Sequence, residues 1–161
     1  MFSTIWSLLG WKEELPPSPP TVTITGVRIP SDGTPAHLLS LTTISDSKAT
    51  DGFLFHVPDL RRYWNSEQAW RQTQYHTLQH QHLSCVGAYY VFYSFDLDSL
   101  PRNMFVPAWV SEISDGVHFS FHGDVFLVKM SPHEYGENRW AVYEDITPLF
   151  LDLLVKGPIS R

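Results

Sequence analysis

Residues 116–130 read GVHFSFHGDVFLVKM, and the parity of these side chains decides how the chain folds. Successive side chains of an extended segment point to opposite faces. Val117, Phe119, Phe121, Val125 and Leu127 therefore share one face, and all are apolar. The other face opens polar with His118, Ser120, His122 and Asp124, then turns apolar at Phe126, Val128 and Met130. The expectation is a strand with one face on the core throughout. Its second face begins in a groove or in solvent and ends buried.

Working outward, Ser114-Asp115-Gly116 reads as the turn into this strand, and a turn at Pro132 to Asn138 leads to a hairpin partner over Arg139 to Ile146. Thr147 and Pro148 suit the N-cap and first position of a closing helix. Leu149, Phe150, Leu153 and Leu154 are expected to form its apolar face, and Gly157-Pro158 to stop it. Upstream, Val86 to Leu97 is apolar on both parities and reads as a strand covered on both faces. Asp96 to Arg102 reads as a loop, and Met104 to Ile113 as strand or irregular packing around Trp109.

Toward the start, Thr21 to Ile29 is rich in β-branched residues and reads as a strand with a bulge at Gly26. The turn Pro30-Ser31-Asp32-Gly33 joins it to a second strand over His37 to Ile44. Gly52 to Val57 supplies a third, ended by Pro58. Asp59 to His82 holds no Pro or Gly. Leu60, Trp64, Tyr75 and Leu78 form an apolar seam at helical spacing, with Asn65 and Gln68 at capping-box spacing and Glu67 and Arg71 at i, i+4. This stretch is expected to be a mid-chain helix.

The elements sum to an α+β fold: a mainly antiparallel sheet of about six or seven strands, with one mid-chain helix and a C-terminal helix packed on it. Residues 21–161 are expected to form a single α+β domain. Residues 1–20 are set apart: Phe2, Ile5, Trp6 and Leu9 fall on one helical face, and LPPSPP over Leu15 to Pro20 makes a stiff spacer.

The 161 residues carry a net charge of −6, and 14% of them are aromatic. No field of positive charge favours a phosphate backbone, so nucleic acid is not expected as a partner. The single cysteine, Cys85, excludes an internal disulfide and reads as a buried thiol. No apolar run is long enough to cross a bilayer, and Met1 to Gly10 does not resemble a secretory signal, so a cytoplasmic location is expected.

Chemistry-bearing groups concentrate on the polar row of the central strand. Asp124 is placed to orient His122 as a general base, with His118 and Ser120 beside them. Strand residues four apart are ~13 Å apart, so His118 and His122 cannot share a metal ion. Ser, His and Asp on one strand do not converge as a triad does. His76 and His80 would lie one helical turn apart, but on the polar side of the mid-chain helix, where solvated histidines are the ordinary outcome; no metal site is expected. No phosphate loop, dinucleotide fingerprint, CxxC or HExxH occurs, so no cofactor is expected either. Phe126, Trp109 and Tyr90 are the rings expected to contact a ligand.

With so few catalytic signatures, the expected function is a non-catalytic binding or protein-interaction module with an aromatic-rich core or pocket. Its partner would be a protein or a small molecule. The alternative is a small cofactor-free enzyme using acid/base chemistry at His122 and Asp124.

Overall fold

The computed structural model describes residues 21–46, 55–64, 67–71, 73–78, 88–114, 117–130 and 143–156. The N-terminal hairpin forms as expected from β1 (Thr23–Ile29) and β2 (His37–Asp46), with Thr23 opposite Thr42 and Val27 opposite Leu38. Gly33 takes φ +87° in their connection, and the Asp32 carboxylate accepts from the Thr34 amide and hydroxyl. That backbone hydrogen bond holds the Asp32 carboxyl below its ordinary value.

No bulge interrupts the register at Gly26. A Cβ there would stand 2.6 Å from Leu41 Cδ1 and 2.9 Å from Leu127 O. The glycine is needed for close approach between backbones.

Beyond β2 the sheet gains β3 (Phe55–Pro58). The helix expected over Asp59–His82 is not formed as one element. Its first half becomes two short helices, α1 (Arg61–Trp64) and α2 (Glu67–Arg71), and its second half becomes a strand, β4 (Thr73–Leu78). TQYHTL alternates Thr73, Tyr75 and Thr77 with other side chains, a pattern that fits a pleated surface. Its partner β5 (Ala88–Ser94) supplies the ladder, with Tyr75 opposite Phe92. Pairing to this ring-rich strand overrides the weak helical preference of the segment. Glu67 and Arg71 keep their i, i+4 ion pair, at 3.2 Å.

After a loop, α3 (Ala108–Ser111) leads into β6 (Glu112–Ser114), which among the described residues pairs only with β7 (Val117–His118). The organising stretch therefore breaks at residues 119–121 before resuming as β8 (His122–Met130). β9 (Tyr143–Glu144) pairs with β8, and α4 (Pro148–Lys156) follows. The order is β3-β2-β1-β8-β5-β4, every pairing antiparallel, curled as a half-barrel. The fold is α+β.

The parity of 116–130 survives the break. Phe119, Phe121, Val125 and Leu127 join one apolar cluster, together with Phe150 and Leu154 of α4. Phe126 and Val128 join another, with Leu60, Trp64 and Ala69 from the α1–α2 region. On the even-numbered side, His118 and Ser120 are exposed, His122 is half-buried, and Asp124, Phe126 and Val128 are buried. β5 is likewise covered on both faces, as its two apolar parities require. Leu149, expected in the apolar face of α4, is exposed, because it lies 100° around the helix from Phe150.

Residues 1–20, Asn65, His80, His82, Cys85 and the turn at Pro132 to Asn138 lie outside the described residues.

Candidate functional site: a pinned apolar loop

The four polar residues of the central stretch are placed in three different structural roles. His118 Nδ1 lies 3.1 Å from Ser111 Oγ, whose hydroxyl donates to Ala108 O at 2.8 Å. His118 thus ties β7 to α3. His122 Nδ1 lies 3.0 Å from Leu100 O, a contact that requires the proton on Nδ1. Ser120 is exposed. Asp124 is buried, with Arg28 Nε donating to Oδ2 at 2.7 Å and Arg28 Nη2 at 2.5 Å. Its Oδ1 accepts from the Ser31 amide at 2.9 Å and the Ser31 hydroxyl at 3.1 Å. Among the described residues no hydrogen bond joins any two of His118, Ser120, His122 and Asp124.

The expected ligand-contacting rings are also placed. Phe126 is fully buried, 4.9 Å from the Tyr63 ring and 5.9 Å from that of Trp64. Trp109 is half-buried and packs against the cluster that holds Phe121. Tyr90 is half-buried and meets Tyr75 edge-on at 5.4 Å.

What His122 holds is a loop, residues 95–107, between β5 and α3. Gly123, at φ +66°, makes the kink that receives it, and its amide donates to Pro101 O at 2.7 Å. The β5–β8 register shifts at the same place. Buried Asn103 fastens the loop's other arm. Its Nδ2 donates to Ile29 O at 3.0 Å and Gly123 O at 2.9 Å, its Oδ1 accepts from the Phe105 amide at 3.0 Å, and its own amide reaches Phe121 O at 2.8 Å. At the near end buried Asp96 accepts from the Ser99 amide and hydroxyl, and its amide donates to Ser94 Oγ.

Four large apolar side chains of this fastened loop face outward, among exposed Asp98, Ser99 and Arg102: Phe95 is 43% exposed, Leu97 52%, Met104 69% and Phe105 53%. Phe95 continues inward through Phe119 at 5.6 Å and Tyr93 at 5.6 Å to buried Phe121, so the rings run from core to surface. Phe105 lies over the β1–β2 turn, where a Cβ on Gly33 would stand 3.0 Å from its Cζ.

No protein-family model and no curated protein matches this chain. A solved structure that it resembles is the crystal structure of small RNA methyltransferase HEN1, at 15% identity and a TM-score of 0.48, over 88% of this chain and 17% of that one. The expectation that nucleic acid is not a partner is corrected: this neighbour's description names an RNA enzyme. A likeness this distant carries no argument that the present chain binds RNA.

Among the described residues no helix is long and apolar enough to cross a membrane, and no three His, Cys, Asp or Glu side chains form a metal-binding group. His76 lies on a strand, β4, and not on the helix expected there, while His80 lies outside the described residues. Sequence reasoning missed the apolar loop. Its signal is present in FDLDSLPRNMFVP, where six apolar side chains stand among Pro, Asp, Ser, Arg and Asn. A loop made only for connection has no use for them.

Proposed function

We propose that this protein is a non-catalytic binding module, and that the loop bearing Phe95, Leu97, Met104 and Phe105 receives an apolar segment of a protein partner. The observation that carries this reading is the combination of outward apolar side chains with buried polar fastening at both ends. Loose apolar loops collapse or cost entropy on binding, whereas a fastened one presents its side chains at little ordering cost. Methionine beside phenylalanine suits a surface that adapts to a partner's side chains. The hydrogen bonds of His122 and Asp124 support the same reading, since both residues hold backbone in place.

Selection of displayed peptides against the full chain tests the proposal. The expected peptides carry two or more large apolar residues, and lose about tenfold or more in affinity when Leu97→Ser and Met104→Ser are combined. Both positions are solvent-exposed, so the variant's melting temperature is expected to stay close to wild type. Peptides that bind the double variant as tightly as wild type would overturn the assignment.

A further inference from the structure

A second surface, sharing no residue with the loop, lies where α1 and α2 meet Arg28 of β1. Three arginines there meet two aromatic rings. The Arg62 guanidinium carbon lies 4.8 Å from the Tyr63 ring centroid, that of Arg28 lies 5.1 Å from the same ring, and that of Arg61 lies 5.8 Å from the Trp70 ring. All fall within cation–π range.

The three cations differ in what they have left to offer. Arg28 is committed to Asp124, and Arg61 to Asp59, whose carboxyl the Arg61 hydrogen bond holds below its ordinary value. Arg62 pairs with no carboxylate among the described residues. Its Nη2 donates to Ser40 O at 3.1 Å and to the Tyr63 hydroxyl at 2.6 Å, which fixes the guanidinium plane. Nε and Nη1 are left without a protein acceptor among the described residues. A planar cation already held in place loses little freedom when an anion arrives.

Arg62 is thus the guanidinium of this face that makes no ion pair among the described residues, beside Arg28, Arg61 and Arg71, which each hold a carboxylate. A carboxylate ligand would use the charge and ignore the rings. Half-buried Tyr63 lies under the guanidiniums of Arg62 and Arg28, and half-buried Trp70 under that of Arg61, so the planes a base meets are guanidiniums backed by rings, a surface on which a base stacks while its phosphate is held. We propose that this face binds a nucleobase joined to a phosphate, supplied as a nucleotide or as a single-stranded nucleic acid.

Anisotropy of a labelled short oligouridylate titrated with the full chain at low salt, with competitors, tests this. The expected result is binding whose logarithm falls against log salt with a slope of about −0.7 to −1.4, the signature of one or two phosphates. Arg62→Ala is expected to weaken it about fivefold or more, and Arg62→Lys nearly as much, because lysine keeps the charge and loses the plane. Uridine monophosphate competing as well as unlabelled oligomer assigns the ligand as a nucleotide; a tighter oligomer assigns it as a strand. Absence of binding, or an unchanged affinity in Arg62→Ala, would overturn the proposal. So would inorganic phosphate competing as well as the mononucleotide, or an oligoglutamate peptide competing as well as the oligomer. The Leu97→Ser, Met104→Ser double variant is expected to bind the oligomer as wild type does, so failure of the loop reading and failure of this one are separable.

Discussion

The side-chain amide of Asn103 donates to Gly123 O at 2.9 Å, joining the middle of the apolar loop to the kink at the start of β8. Replacing Asn103 with Ala strands two carbonyl oxygens and the Phe105 amide in a buried place. The expected loss of stability is about 1–3 kcal/mol, read by urea denaturation. Hydrogen exchange at Met104 and Phe105 should quicken by more than exchange in β5, because the loop loses its fastening first.

Asp124 joins three parts of the fold: β1 through Arg28, the β1–β2 turn through Ser31, and its own strand. Asp124→Ala should cost about 3 kcal/mol, toward the low end for breaking a buried ion pair, because the Arg28 side chain keeps 27% of its surface in water. Asp124→Asn should cost less, since its amide oxygen still accepts from Ser31. Equal losses in the two variants would show that the Ser31 contacts contribute nothing beyond the ion pair.

Gly26→Ala places a methyl group 2.9 Å from Leu127 O, where the neighbour is backbone and cannot swing away. The strands must separate, at a cost of about 1–3 kcal/mol in chemical denaturation. A variant as stable as wild type would mean that β1 and β8 can part without loss.

Burial raises the Tyr143 phenol above its ordinary value of 10.0, and burial also raises Tyr89 and Tyr93. The folded state therefore holds these protons more tightly than the unfolded chain. Stability is fully present below pH 10, and falls as pH rises above it. Melting temperature measured from pH 8 to 11 should drop at the alkaline end, and Tyr143→Phe should make that drop shallower.

Parts of this architecture were legible from local pattern because local pattern determines them. The odd positions Phe119, Phe121, Val125 and Leu127 enter one cluster even though the chain leaves the sheet at 119–121. Parity depends on the chain staying extended and does not require a ladder partner. The mid-chain segment was opaque for the opposite reason. Absence of Pro and Gly permits a helix without specifying one, and only the partner strand β5 reveals that Thr73 to Leu78 is extended. Within the candidate site, the polar row of His118, His122 and Asp124 was visible, but its hydrogen-bond partners were not. Ser111, Leu100 and Arg28 reach those side chains through the tertiary fold, and spacing along one strand carries no trace of them. The apolar loop was concealed by its Pro, Asp and Asn residues, which mark a turn without showing what the turn displays.

The register that places Val27 against Leu127 has a consequence for how the chain is made. As the polypeptide leaves the ribosome, the β1–β2 hairpin can close early, yet its inner edge has no mate until every residue up to β8 has been synthesised. Through that interval an unsatisfied strand holding Ile24, Val27 and Ile29 faces solvent, inviting wrong pairings. Protection by a holdase, or slow translation, would matter most in that window, and truncations ending before Val125 should aggregate where the full chain does not.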